Sequence, residues 1–416
     1  MLACLAATLS AGAVDAAAAG TGGVSLSPPR PAPMIDARTP YMGWNTYYGV
    51  GGVFDQATII SVARTLLNRG LAAAGYQIVW LDFGWASGAR TAGGQILVSR
   101  RQWPRGLRWL TGWLHRHGLL AGIYTDAGRS GCAHEGLGSF GHYRRDADSF
   151  AAWGFDAVKV DFCGAGQEGL DPRPLYESFA RALRHNSSHR HMLLNVCNFW
   201  VPDQINGHLP SFANSSFDNA VWAHQIAQSW RTDTDIGGHH SIKFVDVVRN
   251  LEEDARHASD AGPGHWNDPD YLGPQLGMTF AQARAQMTMW AIVAAPLVLG
   301  SDPRKLSRAS LKMLENPGVI AIDQDPLGIQ GRQVASDGAV QIWVKPLAGG
   351  DRAVALLNPS DAAVDVSTTA TAIGLPLAPR YRLVNVWRDL VTETRGGISF
   401  KVIPDAAVLL RVSALY

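Results

Sequence analysis

The chain has 416 residues, of which 47% are hydrophobic and 17% are charged, and its formal net charge is +1. This length accommodates a large core and two domains, and the near-neutral charge gives no electrostatic basis for binding nucleic acid or an anionic membrane surface. The composition indicates an ordinary globular protein, so its function must be sought in local motifs.

The first residues are predicted to be a targeting segment outside the fold. Leu2 to Ala19 are apolar and small, and Ala13-Val14-Asp15-Ala16 resembles a signal-peptidase site, although no basic residue precedes the apolar run. A disordered alanine-rich tail is the alternative. Residues 20–38 are rich in Gly and Pro and are predicted to be a linker. The protein is therefore expected to be secreted or extracytoplasmic, and no other apolar run is long enough to span a bilayer.

From Thr39 to Gly328, short apolar runs alternate with amphipathic segments. Five amphipathic segments have a helical period: Gln56–Leu67, Leu107–His117, Pro174–Arg184, Phe244–Ala258 and Thr279–Trp290. Eight apolar runs resemble buried strands: Tyr41–Tyr48, Gln77–Phe83, Leu119–Thr125, Ala157–Phe162, Met192–Cys197, Gln228–Arg231, Gly264–Asn267 and Pro296–Leu299. This alternation favours an α/β fold, a (β/α)8 TIM barrel over residues 39–328, with a doubly wound open sheet as the alternative.

Beyond residue 328 the pattern changes to short apolar runs separated by turns rich in Gly, Pro and Asp. No helical period occurs among these runs, which are Val340–Val344, Arg352–Leu357, Ala363–Val366, Tyr381–Asn385, Ile398–Val402 and Ala406–Val412. Residues 329–416 are therefore predicted to form a C-terminal antiparallel β-sandwich.

The fourth predicted strand carries two charged residues on one face. Lys159 and Asp161 are two positions apart, and buried charges are costly unless they are paired or used. Lys159 is also the only lysine before Lys243, which indicates a need for a primary ammonium at this place. A structural ion pair at the strand end and a catalytic pair are the two interpretations.

Carboxylates also end or follow the other strands, where the function of a barrel collects. They occur together with aromatic residues; the set is Asp82, Asp126, Asp161, Asp233, Asp235, Asp268 and Asp270, with Trp44, Trp85, Tyr124, Trp200 and Trp266. Such a ring suits a hard metal ion or glycosidic cleavage. The metal alternative is weaker because no His-Glu-x-x-His motif occurs, and the G-x-G-x-x-G match at 164–169 does not open a helix. A carbohydrate substrate without metal or cofactor is predicted. Asp126 and Asp268 are interpreted as structural, and Arg144-Arg145-Asp146 as a solvated run.

Five motifs together resemble the melibiase-type α-galactosidases of glycoside hydrolase family 27. They occur in the family's order and are Thr39–Asn45, Gly122–Gly128, Lys159–Asp161, Pro263–Asp270 and Gln324–Gly328. The resemblance extends from Thr39 to the C-terminus. It implies a (β/α)8 barrel followed by a Greek-key β-domain, and a retaining exo-glycosidase that hydrolyses terminal α-galactosides by double displacement.

The resemblance also implies roles for individual residues. Asp161 corresponds to the nucleophile, and Asp235, four residues after the sugar-contacting Arg231, corresponds to the acid/base. Cys132 and Cys163 correspond to a disulfide, which leaves Cys197 single. The residues expected to hold the substrate are Trp44, Asp82, Tyr124, Lys159, Asn198, Arg231 and Asp270. A monomer or homodimer is expected.

The sequence departs from the family where the sugar is recognised. Family α-galactosidases carry two consecutive acids at the end of the second strand, but here the pair is Asp82-Phe83. Asn198 stands where many members have Glu. A β-L-arabinopyranosidase or another related glycosidase is therefore an alternative, as is a catalytically silent carbohydrate-binding homologue. The presence of Lys159, Asp161, Arg231 and Asp235 argues against a silent homologue.

Overall fold

The structure, a computed structural model, describes residues 35–132, 136–198, 218–238 and 240–416. The predicted signal-like segment and most of the predicted linker lie outside these residues, as does Trp200. No helix within the described ranges combines the length and apolar character needed to cross a membrane.

Eight parallel strands form one sheet in chain order. They are β1 (Met42–Asn45), β2 (Ile78–Leu81), β3 (Leu120–Asp126), β4 (Ala157–Asp161), β5 (Leu193–Cys197), β6 (Ser229–Arg231), β7 (Trp266–Asp268) and β8 (Leu297–Leu299). β1 pairs with both β2 and β8. Beyond β7, Leu272 continues the ring to β8: its N–H donates to Val298 O, and Gly300 N donates to Leu272 O, both at 2.8 Å. The predicted TIM barrel is confirmed.

The strands were recognisable from their sequence because all of their residues are buried. A parallel sheet covered on both faces needs apolar side chains along the whole strand. The helices are α1 (Gln56–Asn68), α2 (Leu107–Arg116), α3 (Tyr143–Trp153), α4 (Cys163–Gln167), α5 (Pro172–Arg184), α6 (Phe244–Arg256), α7 (Phe280–Val293), α8 (Arg308–Leu314) and α9 (Pro317–Asp323). The five predicted helices coincide with α1, α2, α5, α6 and α7, apart from one to three residues at their ends.

Helix starts follow from local side chains. Asp55 caps α1 by accepting a hydrogen bond from Thr58 N at 2.8 Å. Thr279 and Gln282 form a capping box at the start of α7. The interpretation of Arg144-Arg145-Asp146 as solvated is wrong at Asp146. Asp146 belongs to the first turn of α3 and is fully buried, and its carboxylate accepts hydrogen bonds at 2.7 and 2.6 Å from the two terminal nitrogens of Arg90.

The C-terminal part is an antiparallel β-domain, as predicted. Its strands are β9 (Arg332–Asp337), β10 (Val340–Pro346), β11 (Arg352–Asn358), β12 (Val364–Thr369), β13 (Arg380–Asn385), β14 (Leu390–Thr394), β15 (Gly397–Val402) and β16 (Ala406–Leu415). A six-stranded sheet has the order β9-β10-β11-β16-β13-β14, and β12 pairs with β15 in a second sheet. Their facing side chains form a separate core that includes Ile342, Leu356, Val366 and Ile398. The predicted boundary at residue 328 falls between α9 and β9.

A shared core joins the barrel to the β-domain. Every residue of α7 from Ala285 to Val293 is buried, and the barrel core continues into Trp343, Ala355 and Leu409 of the β-domain. Lys345 of β10 is also fully buried in this interface. Its ammonium donates to Ala291 O of α7 at 3.0 Å and to Asp323 O at the end of α9 at 3.3 Å. The barrel and the β-domain therefore pack against each other through one continuous apolar core.

Candidate active site

Lys159 and Asp161 lie on one face of β4, together with Asp82 at the end of β2. The ammonium of Lys159 donates to Asp82 Oδ2 at 3.0 Å and lies 3.4 Å from Asp161 Oδ1. Asn45 of β1 also donates to Asp82 Oδ2, at 2.7 Å. Within the described part of the chain, Asp161 Oδ1 accepts no hydrogen bond. Residues of β1 and β4 and at the end of β2 thus hold one cation between two carboxylates, and Asp161 Oδ1 keeps its capacity to accept a hydrogen bond.

The pKa values of this cluster reflect a balance between burial and charge. Burial raises the pKa of Asp161 to about 6, while Lys159 lowers it and Asp82 raises it. Burial would lower the pKa of Lys159, but Asp161 and Asp82 outweigh that effect and hold it well above its usual range. Lys159 is therefore a permanent cation, whereas Asp161 titrates near neutral pH.

Three tyrosine rings surround the Lys159 ammonium. Its Nζ lies 5.8 Å from the ring centre of Tyr47, 5.7 Å from that of Tyr124 and 5.6 Å from that of Tyr271. Aromatic faces attract a cation at this distance, so the rings help to fix the ammonium in place. Of these three, only Tyr124 belongs to the predicted set.

Arg231 at the end of β6 organises a second group of carboxylates. Its Nη1 donates to Asp235 Oδ1 at 3.0 Å and lies 3.4 Å from Asp270 Oδ1. Tyr48 Oη and the backbone N–H of Ile236 both donate to Asp270 Oδ2. Asp270 has a φ of 88°, so its backbone occupies a conformation that non-glycine residues rarely adopt. Burial raises its pKa, and Arg231 opposes that shift.

Asp233 and Asp235 have different surroundings although they share one loop. The Asp233 side chain is 1% exposed and accepts a hydrogen bond from Arg249 Nε at 3.0 Å, on the far side of the loop. The Asp235 side chain is 32% exposed and contacts Arg231 instead. Asp235 is therefore the carboxylate of this loop that can exchange a proton with a ligand.

Asp126 and Asp268 are structural, as the sequence predicts. Asp126 accepts hydrogen bonds from the backbone N–H groups of Gly128, Gly164 and Ala165, at 2.7 to 3.0 Å. Asp268 accepts a hydrogen bond from Asp270 N at 2.9 Å. These bonds fix the loops that carry the other carboxylates.

The predicted disulfide between Cys132 and Cys163 is present. It joins the loop after β3 to the start of α4, and the Sγ of Cys132 lies 3.5 Å from Asp161 Oδ2. Cys197, at the end of β5, is buried and has no disulfide partner among the described residues. Its Sγ lies 3.7 Å from Arg231 Nη1. The thiol is also close enough to Lys159 and Asp161 to feel their charges, so it lies between the Lys159 cluster and the Arg231 cluster.

Several aromatic residues that the sequence associated with the carboxylates belong to the barrel wall. Trp44 has no exposed surface, and its indole N–H donates to Ser301 O at 2.8 Å. Trp85 donates to Tyr124 O and Trp266 to Ala37 O, so both are core residues. Asn198 is buried beside β6, where its carbonyl accepts a hydrogen bond from Asn219 at 2.7 Å.

Tyr47, Tyr48 and Tyr271 contact the site but were not predicted. All three lie close to predicted residues in the chain, Tyr47 and Tyr48 after Trp44 and Tyr271 after Asp270. The signal that could have identified them is their position directly after a strand, at the barrel end that carries the carboxylates.

The arrangement supplies two separate carboxylate environments at one end of the barrel. One contains Asp161, buried and beside a fixed cation. The other contains Asp235, partly exposed and hydrogen-bonded to Arg231. Such a pair can perform nucleophilic attack and proton transfer on a neutral substrate.

Sequence comparisons agree with this arrangement. A family model described as "Alpha galactosidase A" matches residues 52–325, and one described as "Alpha galactosidase C-terminal beta sandwich domain" matches residues 337–412. The chain is 35% identical over 395 residues to alpha-galactosidase A of Cellvibrio japonicus, which covers 91% of this chain and 92% of that protein.

Solved structures resemble the fold over almost the whole chain. Alpha-galactosidase I from Mortierella vinacea has a TM-score of 0.81 at 25% identity, covering 91% of this chain and 98% of that one. A β-L-arabinopyranosidase from Geobacillus stearothermophilus has a TM-score of 0.78 at 20% identity, covering 91% of this chain and 97% of that one. The second likeness concerns the fold alone.

Proposed function

The chain belongs to the alpha-galactosidases of glycoside hydrolase family 27, and from that premise we propose that it is a retaining exo-glycosidase acting on terminal α-galactosides. Asp161 is the nucleophile and Asp235 is the acid/base. The observation that supports these roles is the contrast between the two carboxylates: Asp161 is buried beside Lys159, and Asp235 is partly exposed on Arg231.

In the first step, a carboxylate oxygen of Asp161 attacks the anomeric carbon while the bond to the leaving oxygen breaks. Asp235 donates its proton to that oxygen, and Arg231 holds the resulting carboxylate. In the second step, Asp235 removes a proton from water, which attacks the anomeric carbon and releases Asp161. Two inversions at one carbon give net retention.

The remaining predicted residues hold the sugar. Asp82 and Asp270 accept hydrogen bonds from sugar hydroxyls, and Lys159 and Arg231 donate to them. Tyr124 and the unpredicted Tyr47 border the sugar with their rings. Asn198 stands near the substituent at the second carbon. Trp44 completes this set, and its indole N–H donates to Ser301 O after β8.

A β-L-arabinopyranosidase is the second candidate, and Phe83 favours it. The Phe83 ring follows Asp82 and meets the edge of Tyr124 at a centroid distance of 6.2 Å. An apolar ring at this position cannot accept hydrogen bonds from sugar hydroxyls. It suits a pyranose that has the ring stereochemistry of galactose but lacks the hydroxymethyl group.

The function is tested with a panel of nitrophenyl glycosides, using wild-type protein and Asp161→Ala. The wild-type enzyme should hydrolyse one of the two proposed glycosides, and nuclear magnetic resonance should show a product of retained configuration. Asp161→Ala should lose turnover but keep its fold, and azide should restore part of the activity by taking the place of the missing carboxylate. More than a few per cent of residual activity without azide would contradict the role of Asp161.

The proposal includes export from the cytoplasm. Residues 1–38 act as a secretory signal and a linker, and the Cys132–Cys163 disulfide supports an oxidising compartment. N-terminal sequencing of the mature protein tests this, because an intact Met1 would contradict it. Sedimentation would distinguish a monomer from the proposed alternative, a homodimer.

A further inference from the structure

The loop that carries Asp235 is held from behind by α6. Four residues, Thr232 to Asp235, follow β6, and the guanidinium of Arg249 lies against them. Arg249 Nη2 donates to the backbone carbonyl of Asp235 at 3.1 Å, and Nε donates to Asp233 Oδ2 at 3.0 Å. One side chain thus grips the loop at two residues, one of which is Asp235 itself.

Neighbouring side chains of α6 fix the orientation of this guanidinium. Arg249 Nη1 donates to Asp246 Oδ1 at 2.8 Å, and Nη2 donates to Asn250 Oδ1 at 2.7 Å. Asn250 in turn donates to Thr234 O at 2.6 Å and to Pro269 O at 3.2 Å. The planar guanidinium is therefore constrained in direction as well as in position.

Asp233 makes this grip specific. Its carboxylate is almost completely buried, and a buried charge requires a partner. Arg249 supplies that partner, while the N–H of Thr234 donates to Asp233 Oδ1 at 2.6 Å. Movement of the loop away from α6 would separate the buried Asp233 carboxylate from the Arg249 guanidinium, which gives the loop one preferred position.

We propose that Arg249 is a positioning residue that holds Asp235 where it can transfer a proton to the leaving oxygen. The inference rests on the proposed acid/base role of Asp235. A misplaced acid is costly because proton transfer needs heavy atoms within hydrogen-bond reach, and small displacements reduce rates strongly. Arg231 holds the partly exposed side chain of Asp235, and Arg249 holds the backbone of the same residue.

The test uses the dependence of the rate on the leaving group. A poor leaving group needs a proton from the acid, whereas an activated aryl leaving group departs without one. Arg249→Met should therefore lower kcat/KM for the methyl glycoside by about 30-fold or more, and for the dinitrophenyl glycoside by less than about 3-fold. Both compounds carry the sugar that the wild-type enzyme prefers.

Arg256→Met is the matched control. Arg256 lies two turns further along α6, is largely exposed and pairs with Glu253 rather than with the loop. This variant should change neither rate by more than about 2-fold, because exposed ion pairs contribute little. Asp235→Ala provides the reference pattern, with a large loss on the methyl glycoside and a smaller loss on the dinitrophenyl glycoside.

Three outcomes separate the hypotheses. If the wild-type protein hydrolyses neither compound with any sugar of the panel, the proposed function fails. If Asp235→Ala loses both rates equally, the acid role fails, and the positioning role of Arg249 fails with it. Asp235→Ala could show the leaving-group difference while Arg249→Met lowers kcat/KM equally for both compounds, or lowers it for neither. In that case only the inference about Arg249 is overturned.

A second variant covers the case in which Arg249→Met does not fold. Arg249→Lys keeps a cation beside Asp233 but cannot reach Asp233, Asp246 and the Asp235 carbonyl together. It should show the same leaving-group difference at reduced size. If Arg249→Lys lowers kcat/KM for both compounds by the same factor relative to the wild type, the inference is overturned, provided that thermal melting shows a folded protein.

Discussion

At the level of single residues, two opposed effects set the pKa of Asp161: the charge of Lys159 and the burial of the carboxylate. Lys159 stabilises the ionised form of Asp161, yet the same pocket removes water from that carboxylate and raises its pKa to about 6. The nucleophile must be ionised to attack, so activity should depend on this balance. A primary ammonium suits the place because it serves two carboxylates and three aromatic rings from a single point.

The first prediction concerns the acidic limb of the pH profile. We expect kcat/KM of the wild-type enzyme to fall as the pH drops through about 6, because protonated Asp161 cannot attack. Lys159→Met removes the charge that lowers the pKa of Asp161, so this limb should move to higher pH. The measurement is kcat/KM against pH, with the exposed Lys305→Met as control. A limb that stays in place would show that Asp161 does not determine it.

The second prediction concerns Phe83. A Cβ at Gly52 would lie 3.1 Å from this ring and one at Gly136 2.9 Å, so the two glycines make room for it. Phe83→Asp should raise the ratio of kcat/KM for α-galactoside over β-L-arabinopyranoside about tenfold. A regained hydrogen bond to a charged group contributes about 1.5–3 kcal/mol.

Phe83→Leu should leave this ratio nearly unchanged, since it keeps an apolar side chain. If Phe83→Asp also leaves the ratio unchanged, Phe83 does not face the sugar. Stability should be compared in parallel, so that a folding defect is not mistaken for altered specificity.

At the level of elements, the disulfide joins two segments that flank the nucleophile. Cys132 and Cys163 are 31 positions apart in the sequence, and α3 and β4 lie between them. Cys163 lies two residues after Asp161, so the bond restricts the chain directly beyond the nucleophile.

The third prediction is that reduction of this disulfide lowers both melting temperature and activity. Loss of a native disulfide commonly costs about 2–5 kcal/mol. The Cys132→Ser/Cys163→Ser variant should melt at the same lower temperature with and without reductant. Cys197→Ala should respond to reductant as the wild type does. Peptide mapping that linked Cys197 to Cys132 or Cys163 would contradict the pairing.

Sequence reasoning located the elements whose burial is uniform. All eight barrel strands and five of the barrel helices (α1, α2, α5, α6 and α7) were found, because full burial or a helical period leaves a regular pattern. It missed β9 and β14, whose residues are mostly exposed and polar. It also missed helix α3 and the short helices α4, α8 and α9. These exposed strands form because they pair with a neighbouring strand of the sheet, β9 with β10 and β14 with β13. The sequence of a single segment does not show which strand it will pair with.

The site could be predicted only where a motif or strand end identified it. Asp161 lies at the end of β4, beside Lys159, and Asp235 lies in the loop after β6, beside Arg231. Tyr47 and Tyr271 were missed because they follow different strands, and only the folded barrel brings both rings close to the Lys159 ammonium. Asp146 was misjudged for a similar reason, since its partner Arg90 is distant in sequence.

At the level of the whole molecule, the barrel and the β-domain are joined by a buried charge. The Lys345 ammonium donates to carbonyls near the C-terminal ends of α7 and α9, where helix dipoles favour a cation. Burial lowers its pKa and raises that of nearby Asp323. The β-domain thus supplies a cation to the C-terminal ends of α7 and α9, whose own last turns contain no basic residue.

The fourth prediction is that Lys345→Met destabilises the entire protein. It leaves the buried carbonyls of Ala291 and Asp323 without this donor, and a buried polar group left unsatisfied costs about 1–3 kcal/mol. Calorimetry should show one transition at lower temperature. Lys401→Met, an exposed lysine of the same domain, should shift the melting temperature little. An unchanged melting temperature for Lys345→Met would mean that apolar packing alone holds the interface.

The burial of α7 has a consequence for how the protein is made. A ribosome releases α7 well before it has synthesised β16, whose Ala407 and Leu409 belong to the same core. Domains generally fold as units during synthesis, the N-terminal one first. Here the barrel cannot finish folding before the β-domain is synthesised, because one apolar side of α7 stays uncovered until residues 406–415 leave the ribosome. The nascent barrel should therefore depend on chaperones for longer than a self-contained barrel of the same length.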